Sequence, residues 1–263
     1  MAGRLLVDEP LDGVLRLTIS NPDKRNALDH AILDAIAEAV EGSGRRNARA
    51  ILLTGAHGMF SAGYDIGGLP AGTFAVDAEA LVASPFDVAL AALDATDLPT
   101  VAALPGATIG GGLELALACD LRLAADGIRL GMPPAKLGLV YSHTGLQRFV
   151  QAIGEPRTRE LFLLGRTVDA RTALGWGLVT AVVVGGELEE EALDVAAELA
   201  ANAPLSLAGT KRILRALRRA GGRLDPAAEA ELLELRRASF ASEDLREGVR
   251  AFGEKRPARW RGR

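Results

Sequence analysis

Three consecutive glycines, Gly110 to Gly112, precede a helical pattern that is apolar except for one carboxylate, Glu114. The triplet favours a tight turn into a helix, and it leaves backbone N–H groups uncovered by side chains. The N-terminus of the helix adds a partial positive charge at that point, which suits an oxygen that becomes negative during a reaction. Because Glu114 lies in the first helical turn, the sequence indicates an acyl-transfer or enolate-forming enzyme.

Strand and helix patterns alternate over the first half of the chain. Apolar and polar residues alternate over 13–20, and apolar residues recur every four positions over 28–40, where Asp29 is placed to cap a helix. Strands alternating with helices predict an α/β fold. The predicted elements are strands at 13–20, 50–54, 101–104 and 120–125, helices at 28–40 and 85–96, and a Gly/Pro-rich loop from 67 that shapes the pocket.

From about Gln147 onwards, helical patterns dominate and the sequence predicts a single strand, at 178–183. We therefore expect an α/β core over 1–200 and a helical region over 201–263, without a linker between them. The helices predicted in this half cover 145–153, 156–164, 169–176, 188–202, 204–220 and 226–240.

Composition excludes several classes of function. Hydrophobic residues make up 49% of the 263 residues, which is enough for a sizeable core, and the net charge of −4 argues against a nucleic-acid-binding protein. No charged-then-apolar leader occupies residues 1–12, and no apolar run reaches the length of a membrane span, so we expect a cytoplasmic protein. The single cysteine, Cys119, fits a buried thiol, and no cluster has the spacing of metal ligands.

Six motifs resemble the crotonase (enoyl-CoA hydratase/isomerase) superfamily in their order and spacing. The resemblance implies a spiral of ββα turns, a helical C-terminal trimerisation region, and trimers that often stack into hexamers. It also implies a coenzyme A thioester as the substrate, with no separate cofactor. The motifs are Asn-Pro-Asp-Lys-Arg-Asn-Ala-Leu at 21–28, Phe60 to Asp65, Gly110 to Asp120, Gln147-Arg148, Thr172 to Val179 and Phe252 to Arg256.

Carried over by position, the resemblance places an oxyanion hole at the backbone N–H groups of Ala62 and Gly111. Glu114 matches one of the two glutamates that enoyl-CoA hydratases use to hold and activate water. The C-terminal helical region is expected to help close the acyl-CoA site. The residues expected to bind coenzyme A are Lys24, Arg25, Ala27, Ala62, Gly63, Asp65, Ile66, Phe252 and Lys255.

The sequence departs from the hydratase pattern at Pro134, where the second glutamate is expected. Proline has no acid, base or side-chain donor, so Tyr141 or His143 is expected to assist Glu114. Residues 132–141 are similar to methylmalonyl-CoA decarboxylase-type members, which carry a histidine at the position of Tyr64. Three functions therefore stay open: an enoyl-CoA hydratase/isomerase homologue, such a decarboxylase, or a crotonase-like protein that binds acyl-CoA without turnover.

Overall fold

A computed structural model describes residues 3–65, 85–184, 186–221 and 224–263, in which nine strands form two sheets. Ile66 and the whole of the loop predicted at 67–84 lie outside the described residues. The strands are β1 (Arg4–Leu11), β2 (Val14–Ser20), β3 (Ala50–Gly55), β4 (Thr100–Leu104), β5 (Thr108–Ile109), β6 (Leu121–Ala125), β7 (Arg129–Gly131), β8 (Thr167–Asp169) and β9 (Ala181–Val183).

The larger sheet has the strand order β1-β2-β3-β4-β6-β9. Its first pair, β1 and β2, is antiparallel, and all of its other pairs are parallel. The smaller sheet has the order β5-β7-β8. Parallel neighbours need crossover connections, and here those connections contain the helices.

Ten helices lie within the described residues. Two of them, α3 and α4, each follow a pair of strands that contributes one strand to each sheet: β4 and β5 precede α3, and β6 and β7 precede α4. This repeat is the spiral of ββα turns that the sequence resemblance predicts. The helices are α1 (His30–Glu41), α2 (Asp87–Ala95), α3 (Gly111–Ala118), α4 (Pro134–Leu137), α5 (His143–Leu164), α6 (Ala170–Trp176), α7 (Leu188–Ala201), α8 (Pro204–Arg219), α9 (Pro226–Ala241) and α10 (Glu243–Glu254).

The hydrophobic core lies between the larger sheet and its helices. Helix α1 buries the face that carries Ile32, Leu33 and Ile36, and the Asp29 carboxylate accepts from the Ile32 N–H as predicted. All eight residues of α3 are buried, including Glu114. A helix buried on every side holds its first turn rigidly, which fixes the backbone amides at its start.

The structure adds elements that the sequence did not predict. Strand β1 exposes most of its residues, so it lacks a clear alternation of burial, while β5, β7, β8 and α4 are too short for a periodic pattern. The strand predicted at 178–183 is shorter in the structure, where it is β9 (Ala181–Val183). The sequence did not predict α10. Helix α5 contains a kink at Gly154, with φ of 73°, which separates the two helices predicted at 145–153 and 156–164.

The C-terminal region makes hydrogen bonds and an ion pair to the preceding part of the same chain. The Trp260 indole donates to the Ala201 carbonyl, and the Lys211 ammonium donates to Leu98 and pairs with Asp120. The predicted division at residue 200 falls at the end of α7. None of the helices in the described ranges combines the length and apolar character that crossing a bilayer requires.

Candidate active site

A turn at residues 21–28 braces the segment that leads to Asp65. Asn26 is 1% exposed, and its side-chain amide donates to the carbonyls of Ala56 and Met59 while its carbonyl accepts from the Asn21 N–H. Its backbone φ of 55° is a left-handed conformation that asparagine tolerates better than most residues. The buried amide therefore holds the turn at 21–28 against the segment that directly precedes Phe60.

The backbone pairing between the turn at 21–28 and the segment that ends at Asp65 decides which amides can bind a substrate oxygen. The Ala62 N–H donates to the Arg25 carbonyl over 3.1 Å, so it is not available to a substrate oxygen, contrary to what we expect from the sequence. A parallel bridge joins Leu28 to Tyr64 through the Gly63 carbonyl and the Asp65 N–H. In such a bridge Leu28 makes both hydrogen bonds, and the residue opposite it, Tyr64, makes none. The Tyr64 N–H therefore points away from Leu28.

The backbone at Gly63, which leads into Tyr64, lies against the start of α3. A Cβ atom built on Gly63 would lie 3.3 Å from the Gly111 nitrogen, and Gly63 has a φ of +96°, so a glycine is needed there for both reasons. Gly111 is the first residue of α3, where an N–H has no partner inside the helix. Neither amide donates to an acceptor in the described part of the chain. Two such donors can serve one oxygen.

Glu114 lies in the first turn of α3 and is 2% exposed. The Tyr141 hydroxyl donates to its Oε2 atom over 2.5 Å. Burial raises the pKa of Glu114 above its ordinary value, while the hydrogen bond from Tyr141 and the charge of Arg148 oppose that rise. A carboxyl group that keeps its proton more tightly than usual can act as an acid or a base near neutral pH.

Tyr141, which donates to this carboxyl group, is itself in contact with further aromatic residues. The Tyr64 ring meets the Phe86 ring edge-on at 4.9 Å, and its hydroxyl lies 3.4 Å from the Tyr141 hydroxyl. A Cβ atom on Gly111 would lie 2.7 Å from the Tyr64 ring, so the ring packs directly on the start of α3. Burial raises the pKa of both tyrosines, so both hydroxyls are protonated and can donate.

A cavity of about 390 Å³ brings together five of the residues predicted to bind coenzyme A. The Lys24 ammonium lies 2.6 Å from the Asp65 carboxylate across this cavity, so both side chains are held in place. Phe252 is 88% exposed near the end of α10, and Lys255 follows that helix; neither lines the cavity. The five predicted residues that line it are Lys24, Arg25, Ala27, Ala62 and Asp65.

Two further residues named from the sequence make no hydrogen bond to the carboxyl group in the described part of the chain. Pro134 is buried and begins α4, so the position expected for a second glutamate offers no side-chain acid. His143 is the exposed first residue of α5, whereas Tyr141 contacts Glu114. Of the two assistants named from the sequence, only Tyr141 bonds to Glu114 within the described residues.

Sequence reasoning missed one neighbour of Glu114. Arg148 occurs in a motif of the resemblance, but only the structure places its Nε atom 3.8 Å from the Glu114 Oε1 atom. Nothing in the sequence links two residues on different helices. In the described ranges, no group of three or more His, Cys, Asp or Glu side chains is placed to hold a metal ion.

Comparison with known proteins gives the family. A family model described as enoyl-CoA hydratase/isomerase matches residues 9–263. The chain belongs to this family. It is 36% identical over 255 residues to "Probable enoyl-CoA hydratase echA8" of Mycobacterium leprae, an alignment that covers 94% of this chain and 95% of that protein.

Two other relatives agree with this membership. The chain is 32% identical over 251 residues to the 2,3-dehydroadipyl-CoA hydratase of Escherichia coli, covering 95% of this chain and 96% of that one. The crystal structure of an enoyl-CoA hydratase from Bacillus anthracis superposes with a TM-score of 0.89 at 28% identity, covering 99% of this chain and all of that one (100%). The chain is therefore an acyl-CoA-processing member of this family with the crotonase-like α/β fold.

Proposed function

We propose that this member of the enoyl-CoA hydratase/isomerase family stabilises the enolate of an acyl-CoA thioester and moves one proton at C2 with Glu114. The observation that carries the proposal is the buried Glu114 carboxyl group in the same helical turn as Gly111, whose amide, like that of Tyr64, has no acceptor among the described residues. The thioester oxygen accepts from both amides. The substrate's coenzyme A portion lies towards the cavity that contains Lys24 and Arg25, whose charges suit phosphate groups.

The oxyanion hole in this proposal uses Tyr64 instead of Ala62. The Ala62 amide already donates to Arg25, and an amide with one hydrogen cannot serve a second acceptor with good geometry. Removing one comparable donor typically costs about 10²–10³ in rate. The Tyr64 and Gly111 amides belong to backbone that is braced by the turn at 21–28 and by the buried helix α3, so they are preorganised.

Glu114 is the acid and base of the reaction. In its ionised form it removes the C2 proton, the electron pair moves onto the thioester oxygen, and the protonated Glu114 returns a proton to the same carbon or to another position. Tyr141 holds the carboxyl group in one orientation through its hydrogen bond to Oε2. This assignment is that of an enoyl-CoA hydratase/isomerase homologue with a single carboxylate.

A decarboxylase is a second candidate, favoured by the absence of an acid at Pro134 and by the aromatic surroundings of Glu114. A carboxylate on C2 that is transferred to apolar surroundings loses hydration, which favours its loss as CO₂. The electron pair of the broken C–C bond stays on the substrate as the enolate, and the protonated Glu114 then supplies the C2 proton. This reaction needs no pair of carboxylates to position water.

The decisive experiment is deuterium exchange at C2 of butyryl-CoA in D₂O, followed by NMR. The wild-type protein is expected to catalyse exchange, and Glu114→Gln to lower its rate by about 10²-fold or more while butyryl-CoA still binds. Glu38→Gln, which alters an exposed glutamate of α1, is the matched control and is expected to exchange at the wild-type rate.

The same preparation distinguishes the reaction types. Loss of conjugation in crotonyl-CoA identifies hydration, and CO₂ release from methylmalonyl-CoA identifies decarboxylation. If butyryl-CoA binds but the wild-type protein catalyses neither exchange nor either reaction, the proposal is wrong and the chain is an acyl-CoA-binding protein. Equal exchange rates for the wild type and Glu114→Gln would show that Glu114 is structural.

A further inference from the structure

A line of charged side chains runs from the C-terminal helical region to the active-site carboxyl group. The Arg218 guanidinium of α8 lies 2.9 Å from the Asp94 Oδ1 atom on α2. Asp94 in turn accepts two hydrogen bonds from Arg148 of α5, at 3.0 and 2.8 Å. The Nε atom of Arg148 lies 3.8 Å from Glu114. Three helices thus supply the charges that lead to a fourth, α3.

We propose that Asp94 and Arg148 are positioning residues for Glu114, and that Arg218 couples the C-terminal helical region to them. Arg148 provides the cation that stabilises the ionised carboxylate during the reaction. Asp94 holds the guanidinium so that its Nε–H faces that carboxylate. The inference rests on the proposed role of Glu114 as the acid and base.

The geometry of Arg148 leaves one donor for this purpose. Both terminal nitrogens of its guanidinium bond to Asp94 in a fork, which fixes the plane of the group. Its Nε atom is buried and has no hydrogen-bond partner in the described residues. A buried N–H without a partner costs stability unless some state of the protein uses it. The Glu114 Oε1 atom lies 3.8 Å from this Nε atom, which is longer than a hydrogen bond.

The long distance fits a group that changes its charge during turnover. When Glu114 is protonated, it needs no counterion, and Tyr141 alone holds it. When Glu114 is ionised, a movement of about 1 Å would bring its free oxygen within hydrogen-bonding distance of the Arg148 Nε–H. The ionised carboxylate would then accept one hydrogen bond at each oxygen, from Tyr141 and from Arg148.

The charges around Glu114 make Arg148 its one close cation among the described residues. Asp87 and Asp94 of α2 raise the pKa of Glu114 by repulsion, and Arg148 of α5 lowers it. The Tyr141 hydroxyl lowers it by donating, and the neutral Tyr64 hydroxyl lies behind Tyr141. Removing the positive charge of Arg148 would therefore leave two carboxylates acting on a third.

Arg218 belongs to the proposal because Asp94 has two cationic partners, Arg148 and Arg218. Asp94 is only 20% exposed in its side chain, so its negative charge is poorly screened by water. Helix α8 also donates to the Asp94 backbone carbonyl through Arg215, over 2.7 Å. Without Arg218, the Asp94 charge would be less neutralised and would act more strongly on Glu114. The C-terminal region would then influence the acid and base without touching the substrate.

The test measures the titration of Glu114 directly, by NMR of protein labelled with ¹³C at the glutamate side-chain carboxyl. The Glu114 signal is assigned by its loss in Glu114→Gln. Arg148→Met is expected to move the titration midpoint to higher pH by about one pH unit or more, because a close opposite charge is lost. Arg218→Gln is expected to move it in the same direction by a smaller amount. The acid limb of the pH profile for C2 exchange should move with it.

Arg212→Gln is the matched control. Arg212 lies on the same helix as Arg218 and pairs with Asp97, which does not contact Arg148. It is expected to leave the Glu114 titration unchanged. Should Arg148→Met fail to fold, Arg148→Lys keeps the charge without the fork, and it is expected to lower kcat more than it raises KM.

The outcomes separate this inference from the proposed function. A Glu114 titration that is the same in Arg148→Met, or an unchanged kcat in Arg148→Lys, overturns the role of Arg148. If the titration midpoint of Glu114 is the same in Arg218→Gln and Arg212→Gln, the proposed coupling of α8 to Glu114 is wrong. The two titration results do not depend on catalysis by Glu114, whereas exchange that survives in Glu114→Gln overturns the proposed function alone.

Discussion

Glu114 shows how one buried side chain is balanced by its neighbours. Burial favours the protonated carboxyl group, while the Tyr141 hydroxyl and the Arg148 guanidinium favour the carboxylate. The sequence showed a charged residue among apolar neighbours that needed a partner or a role. Its partner Tyr141 is 27 positions away in the chain. At this scale, the sequence named Glu114 and gave Tyr141 as one of two expected assistants, and only the structure showed which of the two contacts it.

The raised pKa of Glu114 predicts that the free energy of unfolding depends on pH. Because the pKa of Glu114 is raised in the native state, the native state binds the proton more tightly than the unfolded chain does. The stability from this group is present below the unfolded pKa and is lost as pH rises through the native pKa. Glu114→Gln avoids that loss because glutamine does not ionise. Its amide oxygen can still accept from Tyr141.

We therefore expect the unfolding free energy of Glu114→Gln, relative to the wild type, to rise with increasing pH over the range that begins near the ordinary glutamate pKa of about 4.3 and in which the wild-type carboxyl group loses its proton. Urea denaturation of both proteins at several pH values measures the difference. A difference that is constant over this range, or that falls, would contradict the assignment of a raised pKa to Glu114.

Gly145 makes room for the active-site pair. A Cβ atom there would lie 2.5 Å from the Tyr141 ring and 3.0 Å from the Glu114 Oε1 atom. Gly145→Ala is expected to destabilise the protein by about 1–3 kcal/mol and to lower C2 exchange, because Tyr141 has to move. Gly175→Ala in α6, where a Cβ atom would meet nothing within 4 Å, is the control.

Denaturation and exchange rates measured on the same preparations give both results. The control is expected to leave exchange unchanged and to gain about 0.5–1 kcal/mol from helix propensity. Equal stabilities and rates for the two alanine variants would show that Tyr141 does not occupy the position described.

At the scale of elements, short segments act together to hold the amides of the site. The turn at 21–28 pairs with the segment ending at Asp65, and helix α3 begins beside it. Which amides stay free depends on which backbone groups pair across this junction. The pairing with Arg25 occupies the Ala62 amide, and the pairing with Leu28 leaves the Tyr64 amide unused, which is why we propose Tyr64 instead of Ala62 as a donor.

Helix α1 follows the same turn, and its cap provides a prediction for the element. The Asp29 carboxylate accepts from the Ile32 N–H and also from the Gly3 N–H. Asp29→Ala is expected to destabilise the protein by about 1–2 kcal/mol, because two N–H groups lose their acceptor. Asp34→Ala, at an exposed position on the same helix, is expected to change stability by less than about 0.5 kcal/mol.

Thermal or urea denaturation of the two variants provides the measurement. If both aspartates cost the same, the cap at Asp29 does not contribute to stability as argued, and the start of α1 is held by the burial of Ile32 and Leu33 instead.

At the scale of the whole molecule, the helical C-terminal region leaves apolar side chains uncovered. Leu245, Val249 and Phe252 follow each other on one face of α10, at 39%, 68% and 88% exposure. Residues at this spacing share a helix face. The trimer that the sequence resemblance predicts would cover such a stripe, since contiguous exposed apolar surface is typical of association sites.

We expect the protein to sediment at three times, or six times, the mass of one chain. Val249→Asp is expected to shift it towards single chains, because a carboxylate would be buried in the contact. Leu163→Asp, at a position of α5 that is 73% exposed, is the control and is expected to keep the wild-type mass. Sedimentation of the wild type as a single chain would contradict the predicted trimer.

The sequence by itself determined the elements whose information is local. Apolar spacing predicted α1, alternation predicted β2, and motif order indicated the crotonase-like spiral that the comparisons confirm. The same reasoning named Glu114, Gly111 and Tyr141, because each carries its chemistry in its own side chain or backbone type. The exposed strand β1 and the very short strands escaped it, since they carry no periodic signal.

Only the tertiary structure decided which of these groups meet. The pairing of Ala62 with Arg25, the contact of Tyr141 with Glu114 and the ion pair of Asp94 with Arg148 each join positions far apart in the chain. Such contacts arise from the packing of whole elements, and their energies depend on burial that no single segment possesses. Residue types therefore set the available chemistry, and packing sets which amide, hydroxyl and guanidinium groups can take part in it.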